Sequence, residues 1–431
     1  MHLPLDPLLR QLKTGGLHPR SLIHRLSDRI EAVDGTIRAF LPEPGRRERL
    51  LGELALLEEQ YPDPALRPPL FGLPVGVKDL FRVEGFATRA GSRLPATLFD
   101  GPQARAVGRL KKAGALVLGK TVTTEFAWFQ PGPTRNPYNT EHTPGGSSSG
   151  SAAAVAAGMC PLSLGTQTIG SIGRPAAYCG VAGFKPTQGR MSCEGVIPFS
   201  PHVDQPGFFT ASLSGVEMVS SILLEDWQGV PADLPAPRVG VPAGTYLLQA
   251  GEEMRQLFHL QVRGLERAGM EVVEIDLFGD IEPINRAHRR IVAHDFSRVH
   301  ASWYAQHAPL YGEHSVAMVE EGRQVGPAEL AAALDLRKEW IQRVENVSRE
   351  EGIDLWISPP AQGTAPRGLG STGSPLMNLP WTFTGMPSLV LPAGSARNGL
   401  PIGLQAVALR GADEVLLHWA ALLSERVLRI T

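Results

Sequence analysis

Apolar residues near the start of the chain recur at a helical period. From Pro19 to Val33, the residues Leu22, Ile23, Leu26, Ile30 and Val33 return every three or four positions, with acidic and basic residues on the opposite face. That spacing predicts an amphipathic helix, and Arg46 to Tyr61 repeats it. Residues 1–65 therefore read as a helical layer covering something larger. The period then drops. Leu73 to Leu80 alternates apolar and small residues as a strand does, and it carries Lys78 near its end.

Ala104 to Ala113 predicts a helix with Val107, Leu110 and Ala113 inward, followed by a strand at Ala115–Leu118. Phe126 to Thr143, rich in Pro, Asn and aromatics, predicts a long irregular loop of the kind that usually carries function. Val181 to Ser200 reads as glycine-punctuated and strand-like. Beyond Leu224 the composition shifts, and Leu234 to Arg238 reads as a linker. Val239–Val241, a helix over Glu252–Ala268 and a strand over Glu271–Ile275 then form a β-α-β alternation. Residues 280–351 are mostly helical and polar, an insertion-like segment. Strands at Asp354–Ser358 and Ser388–Leu391 and a helix at Asp413–Val427 close the chain, the helix turning Leu416, Leu417, Ala420 and Leu423 inward. The alternation predicts an α/β fold with one continuous core, and it makes 225–240 a surface crossover.

The densest run of small residues lies between Pro144 and Arg190. Two loops, Gly145–Ser151 and Gly165–Gly173, are built from Gly, Ser and Thr, whose backbone can approach a ligand closely. Ala152 to Ala157 between them is a strong helix former. A flexible linker would not carry Val155, Met159, Leu162 and Leu164 at core-like intervals.

Composition narrows the classes. The 431 residues are 43% hydrophobic, enough for a large core, and the net charge of −2 offers no basic surplus for nucleic acid. Cys160, Cys179 and Cys193 form no CxxC pair, which fits a reducing compartment. The N-terminus lacks the apolar run of a signal peptide, and no stretch approaches the ~20 apolar residues of a membrane span. These features predict a cytoplasmic protein that binds neither nucleic acid nor membrane. Lysine occurs only at positions 13, 78, 111, 112, 120, 185 and 338, so one inside an apolar strand stands out.

Several chemistries fail on spacing. Gly146-Ser147-Ser148-Ser149-Gly150 satisfies G-x-S-x-G, with His418 downstream, but a polar proline-rich segment precedes it where that elbow needs a buried strand. No lysine follows a serine at Ser-x-x-Lys spacing, and neither glycine loop closes on Gly-Lys-Ser/Thr. His294, His300, His307 and His314 lack HExxH or carboxylate spacing, so no metal is expected. Two serine loops and an apolar-strand lysine survive. A buried lysine loses its proton readily and can activate a serine without histidine. Lys78, flanked by Val75, Val77 and Leu80, is the candidate base; as a structural residue it would instead bond the carbonyls of the two loops.

Lys78 in GVKD, PGGSSSGSAAAVAAG, LGTQTIGSIGRPAAYCGVAGFKPTQGR and the late GLPIGLQAVA (399–408), in that order, resemble the amidase signature family of serine amidohydrolases. The likeness runs from about Leu22 to Leu423 and is densest between 70 and 210. It implies one large mixed β-sheet surrounded by helices and a single domain over 1–431. Within that domain it implies a catalytic core at 66–224 and a half at 239–431 that completes it, with 280–351 shaping the substrate pocket. It also implies a catalytic triad of Lys78, Ser147 held by a cis peptide, and the nucleophile Ser171. The N–H groups of Thr168, Ile169, Gly170 and Ser171 would form an oxyanion hole, with Ser148 and Gln167 supporting the site. No cofactor is implied, and many relatives pair as dimers.

This chain departs from the family pattern at three places. Ile169 precedes Gly170-Ser171 where most relatives have Gly, and a β-branched residue resists positive φ, so either position 169 keeps an ordinary angle or the hole is altered. Ile169 is also placed to narrow the acyl pocket. Gln167 replaces a common Asp, suggesting a neutral network beneath the nucleophile. Gly173 stands where many carry Arg, with Arg174 one place later. Arg174 either pairs a substrate carboxylate or anchors loop carbonyls. Asp204 is expected to hold the core loops together, and Phe126, Trp128, Phe129 and Trp381 are pocket walls or plain core. The resulting expectation is an amidase acting on a small-molecule amide. The alternatives are the A-type subunit of a tRNA-dependent amidotransferase and an impaired amidase-fold binding protein.

Overall fold

The computed structural model describes residues 3–427. Ten strands form one sheet among the described residues: β1 Pro74–Lys78, β2 Leu116–Thr121, β3 Leu162–Gln167, β4 Ala182–Lys185, β5 Gln205–Thr210, β6 Val239–Pro242, β7 Val272–Ile275, β8 Leu355–Ser358, β9 Ser388–Ser395 and β10 Pro401–Val407. Their order is β2-β1-β3-β5-β4-β9-β10-β8-β6-β7. β1 pairs parallel with β2 and β3, and β6 pairs parallel with β7 and β8. The strands between these two parallel ends pair antiparallel. This is the mixed sheet expected, and it runs unbroken across the 225–240 stretch.

The helical N-terminal layer is present as Pro19–Ile37 and Arg46–Gln60, and it opens with a further helix, Leu5–Thr14, that the periodicity did not suggest. In the second, Leu22, Ile23, Leu26 and Ile30 are all buried, as their spacing requires. Residues 280–351 are helical as expected, in Glu282–Val299, Ala301–His307, Glu313–Gln324 and Pro327–Glu350. Val181–Ser200 is strand only at β4; the remainder is turn and bend. β5 and β10 were not legible as strands, because Pro206 and Gly207 interrupt one and Pro401 and Gly403 the other.

The Ala-rich segment forms the helix Ser149–Ala156, every residue of it buried. A Cβ on Gly150 would collide with the Ala39 carbonyl and the Val122 amide, so only glycine lets this helix start so close to β2. Ser151 Oγ donates to Leu164 O at 2.8 Å, fixing the helix on β3. The two small-residue loops, one before this helix and one after β3, are thereby held over the ends of β1 and β3. Among the described residues no helix is long and apolar enough to cross a membrane.

Candidate active site

Lys78 ends β1 and is fully buried. Its Nζ lies 2.7 Å from Ser147 Oγ, 2.8 Å from Thr166 Oγ1 and 3.0 Å from Ser148 Oγ, within hydrogen-bond reach of all three hydroxyls. No carboxylate joins this cluster. Burial therefore dominates and pushes the Lys78 ammonium well below the usual lysine value, with the Asp204 charge acting the other way. Burial thus favours the neutral amine, whose lone pair the Ser147 hydroxyl is close enough to meet. Ser148 Oγ donates in turn to Thr166 O at 3.2 Å, tying the first loop to β3.

Ser147 follows a cis Gly146–Ser147 peptide bond. The Gly146 carbonyl accepts from Arg174 Nη2 at 2.7 Å, and Ser149 Oγ donates to Gly145 O at 2.8 Å. Arg174 Nη1 donates to Gly373 O. Both Nη atoms thus donate to loop carbonyls, the anchoring arrangement, and Arg174 also borders the small pocket beside Ser171. Burial lowers it to about 10, which leaves it protonated at neutral pH as that role needs.

The second loop leaves β3 at Gln167. Gln167 Oε1 accepts from Ile172 N at 2.8 Å and Gly173 N at 2.9 Å, satisfying the first amides of the helix Gly173–Cys179. A neutral side chain does here what a carboxylate could do elsewhere. Ile169 is absent from the residues with positive φ, so it keeps an ordinary backbone angle and its branched side chain fits. Gly170 cannot be replaced so easily, since a Cβ there would strike Asn378 Oδ1.

Among the described residues the N–H groups of Ile169, Gly170 and Ser171 have no protein acceptor. The carbonyls across the same three peptides are all engaged. Thr168 O meets His288 Nε2 at 2.9 Å, Ile169 O accepts from Thr382 Oγ1 at 2.6 Å, and Gly170 O accepts from Arg174 N at 3.0 Å. C=O and N–H point opposite ways in a trans peptide, so each of these carbonyl bonds directs the N–H of its own peptide away from the carbonyl's partner. The N–H of Thr168, the fourth donor expected, likewise has no protein acceptor among the described residues, while its Oγ1 donates to Asp204 Oδ1 at 2.5 Å. Asp204 also accepts from Phe199 N at 2.8 Å and Ser200 N at 2.9 Å, the loop-holding role expected of it. Burial raises its carboxyl to about 6 against these three bonds.

Ser171 is buried, 5% exposed, and lines a neck of about 10 Å³ with Trp128, Phe129, Ile169 and Pro375. Those four residues also wall a larger cavity, about 590 Å³, which continues past His288, Arg289, His314 and Leu379. The cavity itself stops short of Ser171, and Ile169 stands at the constriction. Trp128 and Phe129 are therefore walls, as one reading of the sequence had it. Trp381 is not: it is fully buried against Tyr246, Phe278 and Trp356, its Nε1 donating to Tyr246 Oη at 3.0 Å. Phe126 is likewise core, packed on Phe99, His300 and Tyr311.

Sequence reasoning missed Thr166, His288 and Thr382. Thr166 sits two residues before Thr168 on β3, within the run already singled out. His288 and Thr382 lie 120 and 213 positions from their acceptors, and no local signal marks them. Among the described residues no group of three or more His, Cys, Asp or Glu is placed to hold a metal ion.

The family described as Amidase matches residues 21–417. The chain is 32% identical to the glutamyl-tRNA(Gln) amidotransferase A-type subunit of Roseiflexus castenholzii, covering 94% of this chain and 92% of that protein. It superposes on a crystal structure of an amidase with a TM-score of 0.89 at 32% identity, over 99% of this chain and 100% of the other. A chain from a vestigial protein complex, described as revealing the origins of an s-triazine catabolic enzyme, matches with a TM-score of 0.87 at 29% identity, over 99% and 98%. A family match over nearly the whole length, on a sheet of the same architecture, leads to one conclusion: the chain belongs to the amidase signature family.

Proposed function

We propose that this protein is an amide hydrolase that works through an acyl-enzyme on Ser171. The observation that carries the reading is the buried Lys78 amine at 2.7 Å from Ser147 Oγ, in a cluster of hydroxyls where burial outweighs the more distant Asp204 charge. Lys78 takes the proton of Ser147, which takes that of Ser171 as Oγ attacks the amide carbonyl. The oxyanion forms against the N–H groups of Ile169, Gly170 and Ser171, which have no protein acceptor among the described residues. Collapse breaks the C–N bond, and the departing ammonia or amine receives the proton through Ser147. Water then attacks the ester by the reverse relay and releases the acid.

The cavity beyond Ile169, walled by Trp128, Phe129 and Leu379, suits a substrate with an apolar body. Its test is a panel of small aliphatic, aromatic, ureido and carboxylate-bearing amides read by ammonia release. Ser171→Ala is expected to abolish every activity the wild type shows, and normal turnover by that variant would sink the assignment. The name of the Roseiflexus relative favours a second reading, in which the same chemistry serves one component of a tRNA-linked amidotransferase. Co-purification with tRNA and a partner chain, with no hydrolysis by this chain alone, is the outcome that selects it.

A further inference from the structure

We propose that His288 is a positioning residue for this reaction, holding the Ile169 N–H toward the substrate by bonding the carbonyl of the same peptide. The inference rests on the amidase reading of Ser171. His288 belongs to the helix Glu282–Val299, in the segment with no recognisable motif, and it is fully buried. Its Nε2 lies 2.9 Å from Thr168 O. A carbonyl oxygen only accepts, so Nε2 carries the hydrogen and Nδ1 is the bare nitrogen. Among the described residues Nδ1 has no partner and is buried, so the one polar contact of the imidazole there is the peptide that presents Ile169 N–H.

The ring is kept neutral by burial, which lowers it to about 4, with the backbone contact to Thr168 opposing and Arg337 and Arg289 reinforcing. A neutral donor suits this place. It polarises the Thr168–Ile169 peptide without setting a full charge beside the oxyanion site. His288 also forms part of the cavity wall and lies 6.1 Å from the Phe383 ring, so a purely packing role is the competing account.

Two substitutions of similar reach separate the accounts. Gln in His288→Gln can return a donor near the position of Nε2, whereas His288→Met fills the space without one. The readout is inactivation by an alkyl fluorophosphonate, which needs no knowledge of the substrate. Ser171 Oγ bonds to phosphorus, fluoride leaves, the hydroxyl proton passes to Ser147, and the phosphoryl oxygen occupies the donor ring.

His288→Met is expected to lower the maximal inactivation rate by about 10-fold with the reversible binding constant unchanged, less than the 10²–10³-fold of removing a donor outright. His288→Gln should recover most of the rate. Each variant is assayed well below its own Tm. The proposal is overturned if His288→Met inactivates at the wild-type rate, if His288→Gln is as slow as His288→Met, or if only the binding constant changes. A wild type that does not label, or a Ser171→Ala variant that does, overturns the amidase reading itself.

Discussion

Replacing Lys78 by Met tests the central claim through stability as well as rate. The amine makes three short bonds to hydroxyls and none to a carboxylate, and its folded-state pKa lies well below the ordinary 10.5. Between that depressed value and 10.5 the unfolded chain holds a proton at this position that the folded chain does not. Stability of the wild type therefore rises with pH across this window, because the unfolded state binds more protons. Below the folded pKa the penalty of burying the charge is complete, and above 10.5 it is gone. Met has no proton to exchange, so wild-type stability minus Lys78→Met stability should climb by about 1.4 kcal/mol per pH unit. Lys185, which burial lowers to about 7, is common to both proteins and cancels. Urea unfolding followed by the fluorescence of the seven tryptophans, at half-unit steps from about pH 7.5 to 9.5, gives the slope directly. A difference that stays flat would mean Lys78 is protonated in the folded protein and cannot be the base. Hydrolysis by the variant should fall on the order of 10³-fold, the usual cost of a lost general base.

Thr382→Val keeps the shape and removes the hydroxyl that donates to Ile169 O at 2.6 Å and accepts from Gln167 Nε2 at 2.8 Å. Two buried groups lose their partner, so unfolding should become easier by about 1–3 kcal/mol, and kcat should drop with KM held; unchanged kcat would show that the Gly170 peptide needs no support from behind. Ile169→Ala should open the neck of about 10 Å³ between Ser171 and the main cavity. Relative kcat/KM for bulky aromatic over small aliphatic amides is expected to rise by roughly 10-fold, the worth of a methylene or two of pocket, and an unaltered ratio would place the constriction elsewhere.

What was legible followed from local chemistry. Lys78 stood out because lysine is scarce in this chain and this one interrupts an apolar strand; the helices at Pro19–Ile37 and Glu252–Arg267 followed from period alone. Trp381 shows the limit. Nothing in Asn378-Leu-Pro-Trp-Thr-Phe383 tells a pocket wall from a core ring, because that depends on Tyr246, Phe278 and Trp356 arriving from other segments. β5 and β10 were hidden for a related reason: both are wholly buried strands whose Pro and Gly are tolerated by the neighbours they pair with rather than by their own propensity.

The proposed oxyanion loop explains why the site cannot be confined to Pro144–Arg190. Each peptide unit that turns its N–H toward a substrate turns its C=O the opposite way, into the protein, where a carbonyl without a donor is costly. Three such donors in succession create three inward carbonyls. The loop can satisfy just one of them itself, through Arg174 N to Gly170 O. The other two need donors from outside, and the chain brings them from a helix in the motif-free insertion and from the short helix Leu379–Phe383, as His288 and Thr382. A motif that specifies the loop therefore also demands two distant donors, while leaving open which residues provide them. Substitutions at either should reach the loop's geometry without touching a residue of the motif.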